Sequence, residues 1–491
     1  MSSFWYLVAC FFLTLSQIKA ARILFVVPTP SISHQVVFRP LSQALASRGH
    51  EVTVVTTDPA FPKGEAPANL TEIDLHDISY GFWKNDLMEE YRSKMADNVE
   101  ENMYLMLQGI NQMLEIQLKD ENIQKLIKDK SRQFDLLILE SFLGSNLAYS
   151  HTFKVPVIQM SSFGGIPDNF ETIGAPLHPL IYPTSLQQKL NNLTICDKIH
   201  ELYNYYITRK LMLTFLNVHP IFEGIRPVPP AVIYTGGLHQ NPTKQLPKDL
   251  QQYLDSSKNG VIYVSFGTNV EPSLFAPEKL QALIQVFSQL PYDVLWKWNK
   301  DELPGRPANV KIAKWLPQSD LLKHPKIKLF VTQGGLQSTD EAITAGVPLV
   351  GIPILGDQWF NVEKYVQHKI GLGLDIQTIT KEKFENAVKT VIGDESYRRN
   401  IVRLRSLIRD QPQTPLDRAV WWTEYVWRNG GAKHLRSPTA NMSWWQFLEL
   451  DLVLTVLAVL LAAILAIIVT LRLIFKYVCR KCFCNVKVKR S

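Results

Sequence analysis

Trp315-Leu316-Pro317-Gln318, then Phe330-Val331-Thr332-Gln333-Gly334-Gly335-Leu336-Gln337-Ser338-Thr339-Asp340-Glu341, then Asp357-Gln358: these stretches govern the reading of the whole 491-residue chain. Ile327 to Val331, apolar but for Lys328, predicts a strand, and Ser338 to Ala345 predicts a helix. Gly334-Gly335 falls between them. A glycine turn at such a junction lets backbone N–H groups and the positive end of the helix dipole hold a diphosphate without any lysine. Glu341 sits two turns into that helix, placed to accept from ribose hydroxyls, and Trp315 can stack on a base. Asp357 and Gln358 follow the next strand, Pro348 to Ile352, where they can read a sugar ring.

Strand and helix patterns alternate on both sides of this segment. Val261 to Phe266, 277 to 290 and Asp293 to Trp298 precede it, and helices continue to about residue 410. Earlier in the chain, Ile23 to Val27, a helix from Gln35 to Arg48 closed by Gly49, and Val52 to Thr56 form a βαβ unit. A further strand, Phe134 to Leu139, ends at Glu140 and leads through a helix-like stretch near Asn146 to Phe153 into Val155 to Met160. Residues 87 to 130 are amphipathic and rich in Met and Leu, suited equally to core packing and to lining an apolar pocket. Arg226-Pro227-Val228-Pro229-Pro230, Gly236-Gly237 and Pro242 to Pro247 make a stiff connection. The expectation is α/β: two facing Rossmann-like domains, 21–235 and 236–430, with ligands at the carboxyl ends of parallel strands.

Two further segments set the compartment. Phe4 to Leu15 is apolar and, with Ser16 to Ala20, reads as a signal peptide cleaved after Ala20. After a juxtamembrane stretch, 431–451, the twenty residues from Leu452 to Leu471 carry no charge, enough at ~1.5 Å per residue to cross a ~30 Å hydrocarbon core. The tail 472–491 contains seven Lys and Arg and no acid, which equals the chain's whole net charge of +7. The positive-inside rule therefore puts the tail in the cytosol and the body in the lumen. The rest of the chain is close to neutral, so no nucleic-acid-binding face is expected. Lys487 and Lys489 resemble the dilysine signal that returns type I membrane proteins to the endoplasmic reticulum. Of the five cysteines only Cys196 is lumenal in this arrangement, because Cys10 leaves with the signal peptide and Cys479, Cys482 and Cys484 are cytosolic. Asn69, Asn192 and Asn441 head N-glycosylation sequons.

The segment from Trp315 to Gln358 spans 44 positions, and its spacing and most of its fixed residues resemble the signature of the UDP-glycosyltransferase family. With the signal peptide and tail, the likeness extends over essentially the whole chain, toward the membrane-bound animal branch and its arthropod members. The resemblance implies a GT-B fold of two facing Rossmann-like domains plus one C-terminal transmembrane helix. It also implies an inverting, metal-independent transfer of a hexose from a UDP-sugar, with no cofactor beyond that co-substrate. Carried over residue by residue, it puts uracil on Trp315 with Gln318 beside it, the ribose on Glu341, and the diphosphate on Ser338 and the amides of Gly334 and Gly335, with Gln337 in the same donor motif. The transferred sugar goes to Asp357 and Gln358. Ser265 and Thr268 resemble the family's other phosphate-side turn, and Arg226 an interdomain donor contact. Gln333 stands where many relatives have histidine; its amide can donate to phosphate but cannot become cationic.

In the first half the resemblance makes His34, at the end of the loop Pro28 to Ser33, the general base, and Glu140 its acidic partner in place of the commoner aspartate. A lone histidine is more often structural, and the loop-to-helix position is what singles this one out. The implied partners are the UDP-sugar, a small lipophilic acceptor and the membrane, with room for a homo-oligomer and none for nucleic acid. Glucose is the favoured sugar. UDP-glucuronic acid as donor, a glycolipid or protein acceptor, and a catalytically silent membrane-anchored binding protein on the same fold stay open. A triad hydrolase is disfavoured, because no Gly-x-Ser-x-Gly elbow follows a strand.

Overall fold

The computed structural model describes residues 20–83, 99–129, 133–165, 169–170, 173–175, 178, 180–183, 187, 189–207, 215–240, 242–268, 270–440 and 442–488. Nearly all of the signal peptide, part of the 87–130 stretch, the sequon residue Asn441 and Lys489 of the dilysine pair lie outside the described residues.

Seven parallel strands build the first sheet: β1 (Arg22–Val27), β2 (Glu51–Thr56), β3 (Leu70–Asp74), β4 (Leu136–Glu140), β5 (Val157–Ser161), β6 (Phe215–Leu216) and β7 (Ile233–Tyr234). Their order is β3-β2-β1-β4-β5-β6-β7. Central parallel strands are covered on both faces, which is why β1 and β4 read as unbroken apolar runs. Ile23, Phe25 and Val27 pack with Val37, Phe38, Leu41 and Leu45 of helix α1 (Ile32–Ser47). Leu24 and Val26 belong to the other layer, with Ile123, Leu126, Leu137 and Leu139.

Six parallel strands form the second sheet: β8 (Val261–Ser265), β9 (Asp293–Lys297), β10 (Val310–Ala313), β11 (Ile327–Thr332), β12 (Leu349–Gly351) and β13 (Gly371–Gly373). They run β10-β9-β8-β11-β12-β13. Two helices from this half bear on the site, α2 (Leu336–Ala345) after β11 and α3 (Gln358–Gln367) after β12.

Strand order reverses between β1 and β4 in one sheet and between β8 and β11 in the other. At such a switch point the loops leave the carboxyl ends in opposite directions and open a crevice. Thr29 to Ser31 and Glu140 flank the first crevice; Ser265 to Thr268 and Gln333 to Gly335 flank the second.

One helix departs from the division read in the sequence. Helix α4 (Pro415–Arg428), assigned there to the second half, packs on α1 of the first. Ala419, Val420 and Val426 join the core formed by Val37, Phe38 and Leu41. Glu424 accepts from Arg48 Nε at 2.5 Å and Nη2 at 3.2 Å, and Arg418 donates to the Tyr234 carbonyl at 3.1 Å. Thr414 starts the helix by accepting from the Asp417 N–H. The reason is apolar matching: α4 has a buried stripe that α1 covers. Residues Ser437–Ser491 form a separate unit. Within it, Leu450–Cys479 is a helical stretch long and apolar enough to cross a membrane.

Candidate active site

The two crevices face one cleft of about 430 Å³, lined from both halves. That is within the usual range for small-ligand sites, roughly 300–1,000 Å³. On the first half its wall is mainly apolar, with Ile32, Val36, Trp83, Ile110, Phe142 and Phe163. Ile110 comes from the 87–130 stretch, where it packs with Met113, Leu114 and Leu143, so that stretch supplies both core and cleft wall.

His34 lies in the first turn of α1, its N–H bonded to the Ser31 carbonyl at 2.9 Å. Its Nδ1 pairs with Glu140 Oε1, and Ser162 Oγ sits 3.1 Å from the same nitrogen. The other carboxylate oxygen, Oε2, accepts from the Thr29 hydroxyl at 2.7 Å and the Thr29 N–H at 3.3 Å. Glu140 is fully buried, so both oxygens need partners, and both have them. A hydrogen on Nδ1, donated to Glu140, leaves the Nε2 lone pair as the ring's basic atom. Phe142 and Phe163 meet the ring edge-on, each with centroids 5.9 Å away, and fix its plane.

On the second half Trp315 is 67% exposed, which leaves its indole open to stacking. Lys297 Nζ lies 4.7 Å from its ring centroid and donates to the Gly267 carbonyl at 2.8 Å. Gln318 is held at three points: its Oε1 accepts from the Tyr263 hydroxyl at 3.0 Å, and its Nε2 donates to Ser338 Oγ at 2.9 Å and Glu341 Oε2 at 2.8 Å. Burial pushes the Glu341 carboxyl up to about 7, against the opposing pull of Gln318 and Lys323.

The glycine turn has the form a close phosphate approach needs. Gly334 has φ of +91°, and a Cβ there would overlap Val362 and press on the Gln358 carbonyl. Gly335 is the N-cap of α2. Gln333 packs against Gly267, and its Oε1 is buried without a hydrogen-bond partner among the described residues. Ser265 and Thr268 line the cleft beside it.

Asp357 Oδ2 accepts from Asn361 Nδ2 at 2.9 Å, and the same Nδ2 donates to the Gly334 carbonyl at 2.9 Å, which ties the sugar-side residue to the glycine turn. Burial pushes the Asp357 carboxyl up to about 6, while His34 across the cleft pulls it down. The side-chain Oε1 of Gln358 accepts from the N–H groups of Ile354 and Leu355, each at 2.8 Å. Only its NH₂ is therefore left for a ligand.

The cleft gathers His34, Ser265, Thr268, Trp315, Gln318, Gln333, Gly335, Gln337, Ser338, Glu341, Asp357 and Gln358. Glu140 stands behind His34, and Gly334 behind the turn. Arg226 is not among the lining residues. Its guanidinium stacks on the Phe170 ring, 4.1 Å from the centroid, and donates to the Pro183 carbonyl at 2.5 Å. It is buried near Glu223, whose carboxyl burial pushes up against the pull of Arg226. Of the sequons, Asn192 is exposed, whereas Asn69 spends its Nδ2 on the carbonyls of Ala46 at 2.5 Å and His50 at 3.0 Å. Thr29, Ser162, Tyr263, Lys297 and Asn361 escaped the sequence reading. Thr29 and Ser162 follow the carboxyl ends of β1 and β5 and Lys297 ends β9, a position that the switch-point rule could have flagged.

Residues 207–489 match the family model described as UDP-glucoronosyl and UDP-glucosyl transferase. The chain belongs to that family. An ecdysteroid UDP-glucosyltransferase of Spodoptera littoralis nuclear polyhedrosis virus is 35% identical, over 89% of this chain and 94% of the relative. A UDP-glycosyltransferase of Dactylopius coccus, UGT5, is 32% identical over 97% of both. Among solved structures, Os79 of O. sativa with U2F and trichothecene superposes with a TM-score of 0.59 at 18% identity, covering 82% of this chain and 99% of that one. A UDP-glucose:anthocyanidin 3-O-glucosyltransferase with UDP gives 0.58 at 18% identity, over 84% and 100%. These likenesses show the fold, GT-B. The chain is thus a UDP-glycosyltransferase with two parallel α/β sheets and one C-terminal helix able to span a membrane.

Proposed function

We propose that this UDP-glycosyltransferase moves glucose from UDP-glucose to a hydroxyl of a small lipophilic acceptor, with inversion at the anomeric carbon. The observation that carries the reading is His34, backed by Glu140, on one wall of a cleft whose opposite wall presents Glu341, Ser338, Gly335, Asp357 and Gln358. His34 Nε2 takes the acceptor proton; the freed oxygen forms a bond to the anomeric carbon as the bond to the UDP oxygen breaks. UDP leaves with that electron pair, stabilised by the glycine-turn amides at the start of α2. Glu140 orients the ring and balances the imidazolium that forms.

Two points favour glucose over glucuronate. Asp357, read as a sugar contact, lines the cleft, and its charge opposes a second carboxylate. Arg226, the cation that could have read carbon 6, is occupied elsewhere. The apolar acceptor wall of Ile32, Val36, Trp83, Ile110, Phe142 and Phe163 favours a lipophilic molecule, in keeping with relatives named for ecdysteroid and with trichothecene in the rice structure. The body is assigned to the endoplasmic-reticulum lumen, on the basic tail after the apolar helix and the N-terminal apolar run. Assaying microsomes that carry the chain with UDP-glucose, UDP-glucuronic acid, UDP-galactose and UDP-N-acetylglucosamine against phenols and steroid alcohols tests both donor and acceptor. Faster turnover with UDP-glucuronic acid would overturn the donor; no product with any lipophilic alcohol would overturn the acceptor class.

A further inference from the structure

Gln337 is the second residue of α2, inside the donor motif, yet its side chain turns away from the diphosphate turn. Its Nε2 crosses the cleft and donates to two main-chain carbonyls of the first half, Ser162 at 2.8 Å and Ser33 at 3.1 Å. Both partners are acceptors only, so the amide nitrogen must be the atom that faces them. The two residues it grips flank the base: Ser33 immediately precedes His34, and Ser162 Oγ touches His34 Nδ1. Asn217 Nδ2 holds the Ser162 carbonyl from within the first half at 3.2 Å, so Gln337 completes that grip from the other half.

We propose that Gln337 is a positioning residue for His34, a clamp that closes the donor half onto the base loop, and not a ligand of the UDP-sugar. This rests on His34 being the base. Gln337 shares the first turn of α2 with Ser338 and is two residues from the N-cap Gly335, so a diphosphate that orders this turn also sets the clamp. Donor binding and base placement are then linked through one side chain, which makes the base competent when the donor half is in place. A Met at 337 keeps the length and volume but has no N–H to donate, and a Glu would set a carboxylate against two carbonyls.

The test uses the full-length chain in detergent. Gln337→Met and Gln337→Glu are expected to lower kcat by about 10- to 100-fold, the range of a displaced general base, while UDP binding by calorimetry and the KM for UDP-glucose stay within about two-fold. The rising limb of the kcat/KM against pH profile should shift in Gln337→Met, since the geometry around His34 changes. In a His34→Ala background, Gln337→Met should reduce the residual rate no further, because it acts through a ring no longer there. A ten-fold or greater loss of UDP affinity, or a rate loss that persists undiminished in the His34→Ala background, would make Gln337 a donor ligand and overturn the proposal. A His34→Ala enzyme with near-normal turnover would instead remove the base reading itself, and the clamp with it. Melting temperature within a few degrees of wild type shows that the Met variant folds; if it does not, Gln337→Glu and Gln337→Asn, whose side chain is one methylene too short, carry the same comparison, and normal kcat in both would overturn the clamp.

Discussion

The Thr29 hydroxyl donates to Glu140 Oε2 at 2.7 Å, and this leaves Oε1 as the oxygen that faces His34. The carboxylate is thus stretched between two fixed partners, one on the loop after β1 and one at the start of α1. Its length matters as much as its charge. Glu140→Asp withdraws the carboxylate by one methylene and cannot reach both, so kcat is expected to fall at least about ten-fold; Glu140→Gln keeps the reach but loses the negative charge and should fall further. Thr29→Val, which removes only the hydroxyl, should cost several-fold. Steady-state rates at saturating donor decide the ranking, and a Glu140→Asp enzyme with wild-type kcat would contradict it.

His34→Ala should lower transfer by about 10²-fold or more while UDP binding stays within a few-fold. His34 and the proposed nucleotide contacts belong to different sheets, so removing the ring leaves Trp315, Gln318, Ser338 and Glu341 as they are. Calorimetric UDP titration beside a rate assay separates the two. A large loss of UDP affinity would mean that His34 serves the donor.

Two carboxyls of α2, Glu341 in the cleft and its buried neighbour Asp340, predict a pH dependence of stability. Burial pushes Glu341 up to about 7 and Asp340 up to about 8, both above their ordinary range. A carboxyl raised on folding holds its proton in the native state where the unfolded chain has released it. Its contribution to stability is therefore complete below the unfolded value, near pH 4, and is lost as pH rises toward 7 or 8. For the donor-free chain, the melting temperature of wild type relative to Glu341→Gln should decline between about pH 4.5 and pH 7.5. A difference that stays flat, or grows with pH, would refute the raised carboxyl.

Much of this architecture is legible in the sequence because parallel strands buried on both faces leave apolar runs: β1, β4 and β8 are of that kind, and β11 is interrupted only by the exposed Lys328. β3 and β10 lie at sheet edges with one buried residue each, β13 is Gly-Leu-Gly, and β6 and β7 are two residues long, so none has a pattern to read. Of the residues read as donor contacts, Gln333, Gly335, Gln337, Ser338 and Glu341 share the β11–turn–α2 segment, and the cleft also holds Ser265, Thr268, Trp315, Gln318, Asp357 and Gln358 from neighbouring elements. What the linear order hides is tertiary: the reach of Gln337 to Ser33 and Ser162, the shared hold on Glu140, and the turning inward of Arg226.

Glycan attachment should discriminate between the two described sequons. Asn192 is exposed, while Asn69 lies on the short connection into β3 with its amide nitrogen bonded to two carbonyls of the α1–β2 corner. A bulky substituent on that nitrogen would displace at least one of them. Asn192→Gln is expected to raise gel mobility by one glycan step and Asn69→Gln to leave it unchanged. A mobility step from Asn69→Gln would show that this corner opens to accept the sugar.

Donor choice offers the sharpest check on Arg226. Were its guanidinium the reader of a sugar carboxylate, Arg226→Met would change the ratio of glucosyl to glucuronosyl transfer. Its stack on Phe170 and its bond to the Pro183 carbonyl predict a different outcome: the ratio stays the same, and the melting temperature drops because a buried stacking and hydrogen-bonding contact is lost. Asp357→Asn should behave in the opposite way. Removing that negative charge from the sugar side leaves the fold intact, lowers glucosyl transfer through the lost carboxylate acceptor, and relieves the repulsion of glucuronate, so the ratio moves toward UDP-glucuronic acid. Measuring both donors with both variants, together with melting temperatures, distinguishes the two roles. A changed ratio in Arg226→Met with no loss of stability would return the arginine to the donor site.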